Sequence, residues 1–141
     1  MRTAIAAILA LTAGCTSTQA IEPRLAGTAV DFKQAQTVEV TLSNFAFTPS
    51  EIKLQAGKPY MLKLVDGASG GHDFTAPAFF AVASVAPDDA AKIARGQIEL
   101  KGGETASIRL VPTAGEFPVT CTHFGHAALG MTGKIIVEGA N

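Results

Sequence analysis

The sequence contains no tryptophan, one tyrosine and few charged residues, and each shortage narrows the range of functions. Lys and Arg (11) nearly balance Asp and Glu (12), and neither sign forms a run. Because a nucleic-acid-binding surface needs clustered positive charge, nucleic acid is not expected as a partner. The eight phenylalanines supply nearly all of the aromatic content, which suits a packed interior better than a surface that stacks on sugars or bases.

Residues 1–20 resemble a leader for export rather than part of a fold. A positive start at Arg2 precedes an apolar run that is too short to span a membrane as a stable helix. The sequence Leu11-Thr-Ala-Gly-Cys15 resembles a bacterial lipobox, in which the cysteine is lipidated, although the leucine lies one position further away than usual. Cleavage of a plain signal peptide after Ala20 is the alternative. We therefore expect a periplasmic protein that meets the membrane only through a lipid on Cys15.

Cysteine is scarce as well, since only Cys121 remains beyond the leader and a disulfide partner is lacking. A free thiol is a hazard in an oxidising compartment, so we expect something to occupy it. His126 and Met131 follow Cys121 by five and ten residues, and His123 lies between Cys121 and His126. Thiolate, imidazole and thioether together suit copper, which binds a Cys-His-His set with a weak axial methionine. The second imidazole is expected from His72, the only histidine outside this loop.

Each of these residues also has an ordinary structural explanation. Cys121 would be a buried thiol, Met131 a core side chain and His126 a loop histidine with a hydrogen-bond partner. Their combination favours ligation, and the thioether favours copper over zinc. For His123 three roles stay open, namely a surface side chain, a donor behind the ligands and an alternative ligand, and the surface position is favoured.

Short alternating segments predict an all-β fold. From Thr37 onward, Val38, Val40 and Leu42 alternate with polar residues, and similar segments recur to give seven or eight strands separated by turns. Helical patterns do not separate most of these strands, so an antiparallel β-sandwich is favoured over a parallel sheet.

The domain organisation follows from the same pattern. One domain is expected over 37–141, with a short helical excursion around 77–95 made of helices at Pro77–Ala83 and Asp88–Arg95. Residues 21–36 show no clean period and are expected to be a tether, with a first short strand near Gly27–Phe32 as an option.

Four stretches resemble the cupredoxins, the family of plastocyanin, azurin and rusticyanin, over roughly residues 37–138. They are Asn44-Phe-Ala-Phe-Thr-Pro49, Gly71-His72, the loop from Cys121 to Met131, whose spacing is similar to that of rusticyanin, and the closing Gly-Met-Thr-Gly-Lys-Ile-Ile-Val. The resemblance implies a Greek-key β-sandwich with one type 1 copper near one end. The ligands that it implies are His72, Cys121, His126 and Met131. It also implies a monomer that carries single electrons between transient redox partners and is not an enzyme.

Two further expectations follow from the resemblance. Asp73 stands where the family commonly has Asn or Ser, and we predict that it bonds to Thr122, supports the ligand loops and lowers the reduction potential. Ala127, Ala128 and Leu129 resemble the small apolar patch through which the second histidine protrudes and partners dock.

Other functions use the same fold. A periplasmic copper carrier or resistance protein is the alternative to electron transfer. A copper enzyme is disfavoured because three histidines cannot supply a second, catalytic copper site, and a binuclear copper site would need two bridging cysteines in the loop.

Overall fold

The structure is a computed structural model that describes residues 22–140. The predicted leader, Cys15 and the cleavage site after Ala20 lie outside the described residues. Within the described part of the chain, no helix is both long enough and apolar enough to cross a membrane.

Short strands make up most of the described chain, with two short helices in the middle. In chain order, the elements are β1 (Arg24–Leu25), a 3-10 turn (Phe32–Gln34), β2 (Gln36–Ser43), β3 (Ala46–Thr48), β4 (Glu51–Gln55), β5 (Tyr60–Asp66), β6 (His72–Thr75), α1 (Pro77–Val82), β7 (Ser84–Val85), α2 (Pro87–Ala90), β8 (Gln97–Leu100), β9 (Thr105–Val111), β10 (Gly115–Thr120) and β11 (Thr132–Glu138).

These strands form two sheets that enclose one core, so the predicted β-sandwich is confirmed. The six-stranded sheet has the order β1-β7-β9-β5-β2-β3, and the five-stranded sheet has the order β4-β11-β10-β6-β8. Along β5, alternate residues are buried, which places Leu62 and Leu64 in the core. The same core cluster contains Cys121 and Met131, so the packed interior extends to the predicted ligands.

Pairing is mixed rather than wholly antiparallel, which corrects the prediction from the sequence. β2 runs parallel to β5, β4 runs parallel to β11, and the short β1 runs parallel to β7. The connections explain this, because β3 is in one sheet and β4 in the other, and the chain returns to the first sheet with β5. Alternation of apolar residues identifies a half-buried strand, but it carries no information about the direction of the neighbouring strand.

The first strand lies earlier than the predicted Gly27–Phe32. Arg24–Leu25 pairs with Ser84–Val85, and the amide of Ala26 donates to the carbonyl of Val85 at 2.8 Å. A two-residue strand has no detectable period, which is why its position could not be read from the sequence. The assignment of 21–36 as a tether remains a prediction.

The helical excursion is present, but its second helix is shorter than predicted. α1 fills the Pro77–Ala83 region and buries Phe79 and Phe80, whereas α2 ends at Ala90 instead of continuing to Arg95. Arg95 and Gly96 have φ angles of 53° and 77°, and this left-handed pair turns the chain back towards β8.

A buried carboxylate joins the excursion to the six-stranded sheet. Asp89 accepts hydrogen bonds from Nε and the backbone amide of Arg109 at 2.7 and 3.0 Å, and from Nζ of Lys92 at 2.6 Å. Burial alone would raise the pKa of Asp89, but the bonds from Arg109 and Lys92 outweigh it and hold the pKa below the usual 3.8.

We expect Asp89→Asn to lower the free energy of unfolding at pH 7 by roughly 1–3 kcal/mol, because the charged bonds are lost while both partners keep part of their hydration. Since the pKa of Asp89 is lower in the folded state, its contribution is present above about pH 4 and is lost as the pH falls further. Urea denaturation of both proteins at pH 7 and pH 3 measures this. A stability difference that is as large at pH 3 as at pH 7 contradicts the assignment.

Candidate metal centre

Sheet pairing brings together residues that lie far apart in the sequence. His72 is the first residue of β6, and Cys121 directly follows β10. β6 and β10 are antiparallel neighbours joined at Thr75 and Thr120, so both predicted ligands lie at the same end of one sheet. Their separation of 49 positions in the sequence is therefore no obstacle to contact.

Glycine at position 71 allows the backbone to reach this point. A Cβ atom on Gly71 would lie 2.9 Å from the carbonyl oxygen of Leu100, closer than side chains tolerate. A larger residue here would push His72 away from its neighbouring strand β8.

Three side-chain atoms converge at this end of the sandwich. Sγ of Cys121 lies 3.4 Å from Nδ1 of His126 and 4.0 Å from Nδ1 of His72, and the two Nδ1 atoms are 3.1 Å apart. Cys121 and His72 are fully buried, and His126 is partly buried. The structure thus places three of the four predicted ligands within reach of one ion.

The fourth predicted ligand, Met131, is fully buried beside them. Its amide donates to the carbonyl of His126 at 3.0 Å, and its carbonyl accepts from the amide of Cys121 at 3.2 Å. The second bond continues the pairing of β10 with β11 beyond Thr120 and Thr132. Two backbone bonds therefore fix Met131 to the start and to the middle of the loop that carries Cys121 and His126.

Burial sets the protonation of the ligands. It lowers the pKa of His72 below 6.5, an effect that Asp66 opposes and the other two histidines reinforce. It also raises the pKa of the Cys121 thiol above 9.0, and backbone hydrogen bonds from Asp73 and His123 offset part of that rise. At neutral pH, His72 is thus neutral and ready to bind a metal, whereas Cys121 must first release a proton.

Asn44 is a functional residue that the sequence reasoning missed. Its Oδ1 lies 2.9 Å from Nε2 of His72. An amide oxygen can only accept, so Nε2 of His72 carries the proton and Nδ1 is left free towards Cys121. The available signal was a polar residue at the break between two strands, in the stretch before Pro49, but the partner of that residue depends on the fold.

Asp73 links the two loops that carry ligands. Its carboxylate accepts from the amide of Thr122 at 3.0 and 2.9 Å and from Oγ1 of Thr122 at 2.7 Å, and Oγ1 of Thr75 donates to it at 2.7 Å. Nε2 of Gln97 donates to Oγ1 of Thr122 at 3.1 Å. The contact that the sequence predicted between Asp73 and Thr122 is present, as part of a larger set of bonds.

His123 lies beside the three converging atoms but outside them. Its Nε2 is 2.9 Å from Oε1 of Glu99 and 3.9 Å from Oδ2 of Asp73. The ring centroid of His123 lies 5.3 Å from that of His126 and 6.3 Å from that of His72.

The predicted docking residues Ala127, Ala128 and Leu129 are exposed. Phe124 is fully exposed nearby in the sequence, and Phe45 packs edge-on against the ring of His126 at 4.9 Å. The apolar surface near His126 therefore includes two aromatic side chains that the sequence analysis did not assign to it.

A β-sandwich with buried cysteine, histidine and methionine at one end defines a class of small metal-binding domains. The sequence matches the family described as Cupredoxin-like domain over residues 4–137. The chain therefore belongs to the cupredoxin-like family. No sequence match is found among curated proteins.

Solved structures support the fold. The sodium-dithionite-reduced auracyanin of Roseiflexus castenholzii has a TM-score of 0.55 and 19% identity, covering 73% of this chain and 97% of that one. Auracyanin A of Chloroflexus aurantiacus, described as a blue copper protein, has a TM-score of 0.52 and 22% identity, covering 72% and 98%. The multicopper oxidase McoA of Aquifex aeolicus has a TM-score of 0.62 and 15% identity, covering 79% of this chain but 31% of that one.

The donor atoms fit a copper ion. Three donors about 2.0–2.3 Å from one ion in a trigonal plane stand about 3.5–3.8 Å apart. The three distances of 3.1, 3.4 and 4.0 Å lie around these values, so small side-chain adjustments suffice. His72, Cys121 and His126 would hold the ion, and the thioether of Met131 would be a further, weaker donor.

We expect Asp73→Asn to raise the reduction potential of the copper-loaded protein by on the order of 100 mV. Removing one charge roughly 6 Å from the ion, at an effective dielectric constant of about 20, changes the free-energy difference between Cu(II) and Cu(I) by about 3 kcal/mol. Protein-film voltammetry measures the shift. An unchanged midpoint would show that the carboxylate supports the loops without setting the potential.

Proposed function

We propose that this protein is a type 1 copper protein that carries single electrons between redox partners. The observation that supports this best is the convergence of one thiol sulfur and two imidazole nitrogens within 4.0 Å at a buried end of the sandwich. Bound copper would supply the Cu(I)/Cu(II) couple, and a thiolate with a weak thioether suits that couple.

The surroundings of the donors favour fast electron transfer. Asn44 fixes the ring of His72 through a hydrogen bond. Backbone bonds fix Cys121 and Met131, and Asp73 joins the two loops that carry the ligands. Ligands that cannot move when the charge of the ion changes keep the reorganisation energy small. Burial of His72, Cys121 and Met131 also keeps solvent away from most of the site.

The exposed side of His126 is the proposed route for electrons. His126 is partly buried, whereas His72 and Cys121 are fully buried, and exposed apolar residues lie close to it in sequence. Contacts between electron-transfer proteins are small and transient, so a patch made of Ala127, Ala128 and Leu129 is adequate.

Copper handling in the periplasm is the second candidate, favoured by the solvent-accessible His123 beside the ligands. Retention of the metal through many redox cycles supports the carrier, whereas transfer of Cu(I) to a chelating acceptor within seconds supports handling. Catalysis is not proposed, because two of the three histidines are needed for a single site.

The leader-like residues 1–20 support a periplasmic location. A lipid on Cys15 would hold the protein at the membrane, and the residues between Cys15 and β1 would then act as part of the tether. Mass spectrometry of the protein extracted from membranes distinguishes acylated Cys15 from an unmodified chain that begins after Ala20.

We expect the purified protein to develop an intense visible absorption band when Cu(II) is added, because a thiolate bound to Cu(II) transfers charge to it. Cys121→Ser removes the sulfur and should abolish the band while circular dichroism shows the same β-structure. Met61→Leu serves as the control, since it changes a methionine in β5 that is not a predicted ligand. A band that survives Cys121→Ser rules out the proposed site.

We expect Leu129→Asp to slow electron self-exchange about tenfold, because two copies would place like charges against each other at the patch. The matched control is Leu25→Asp, since Leu25 is 60% exposed and Leu129 is 63% exposed. NMR line broadening in mixtures of the oxidised and reduced protein measures the rate. Equal slowing in both variants would remove the patch from the electron route.

A further inference from the structure

His123 is the exposed neighbour of a buried site. Its side chain is 33% exposed, and the side chain of Glu99, which it contacts at 2.9 Å, is 57% exposed. His72 and Cys121 are fully buried. His123 and Glu99 are therefore accessible to an ion from solvent, whereas His72 and Cys121 are not.

The spacing of this outer group suits a divalent cation. Nε2 of His123 lies 2.9 Å from Oε1 of Glu99 and 3.9 Å from Oδ2 of Asp73. Donors about 2.0 Å from a Cu(II) ion in tetragonal geometry stand about 2.8 Å apart when adjacent and about 4.0 Å apart when opposite, close to these two distances. One imidazole and two carboxylate oxygens form a set that accepts Cu(II).

The same geometry makes the outer group weaker than the inner one. Both oxygens of Asp73 already accept hydrogen bonds from Thr122, so Asp73 is only a partial donor. Glu99 lies on the solvent-exposed side of β8, and the group contains no sulfur. The outer group is therefore suited to bind copper transiently. The soft thiolate of Cys121 binds copper more strongly, so the ion would move on to the inner group.

The two groups are also close enough for transfer. The ring of His123 lies 5.3 Å from the ring of His126, centroid to centroid, and both belong to one compact loop in which the amide of His126 donates to the carbonyl of His123 at 3.1 Å. His126 is the partly buried member of the inner group, which makes it the first inner ligand within reach.

We propose that His123 and Glu99, backed by Asp73, form a capture site for aqueous Cu(II) through which copper enters the buried site. The destination of the ion rests on the proposed function. Transfer is a ligand exchange without a change of oxidation state: the bonds to His123 and Glu99 break, bonds to His126, His72 and Cys121 form, and the proton of the thiol leaves to water.

Stopped-flow mixing of the metal-free protein with Cu(II) tests the capture site by the rate at which the visible band grows. We expect His123→Gln and Glu99→Gln each to slow the second-order phase about tenfold, with the final absorbance and band position close to those of the wild type. Glu116→Gln is the control, because it removes the same charge at an exposed position of β10 and should load at the wild-type rate.

The outcomes separate this inference from the proposed function. Loading of His123→Gln and Glu99→Gln at the wild-type rate overturns the capture site and leaves the copper carrier intact. If the wild type forms no band, the proposed function fails, and electron paramagnetic resonance of Cu(II) added to a Cys121→Ala, His126→Ala variant decides the capture site. A Cu(II) signal with nitrogen coupling that is lost when His123→Gln is introduced into this variant supports the capture site. A nitrogen-coupled signal that persists refutes the capture site.

Discussion

The structure of this end of the molecule depends on one carboxylate, Asp73, which joins two ligand loops. Strand pairing brings β6 and β10 side by side, but the paired residues of these two strands are only Thr75 and Thr120. Asp73 continues the connection through its three bonds to Thr122. Because His72 precedes Asp73 and Cys121 precedes Thr122, these bonds fix the distance between the two ligands. His72 is also held by its pairing with β8, and Cys121 by its bond to Met131. The bonds of Asp73, however, are those that join the two ligand segments directly.

Burial is the second constraint, and it acts against the charges that the site needs. Removing Cys121 from water raises its pKa, and the hydrogen bonds from two backbone amides recover only part of the cost. Asp66, on the core-facing side of β5, has one buried oxygen without a hydrogen-bond partner among residues 22–140. A cation bound between His72 and Cys121 would replace the thiol proton, and its positive charge would lie in a region where Asp66 already acts on His72.

The sequence predicted those features that are local and chemically distinctive. A loop with Cys121, His126 and Met131 at fixed offsets identifies its own chemistry, and the sandwich follows from alternation and turns. The features that the sequence could not predict are those that depend on strand order. Parallel pairing, Asn44 behind His72 and Glu99 beside His123 all require residues from separate strands to meet. Neither hydrophobic period nor motif spacing specifies such contacts. The bond between Asp73 and Thr122 could be predicted because it followed from a family pattern.

Under the proposed function, one short loop would serve three different requirements, and the exposure of its residues decides which residue serves which. Cys121 and Met131 are buried and can hold an ion firmly, whereas Leu129 is exposed and available to another protein. His123 and His126 lie between these extremes, because both are partly exposed and only His126 also contacts the buried donors. A site buried throughout would exchange neither electrons nor metal at a useful rate, and a fully exposed one would lose its ion to water. The partial exposure of the two histidines reconciles retention with access.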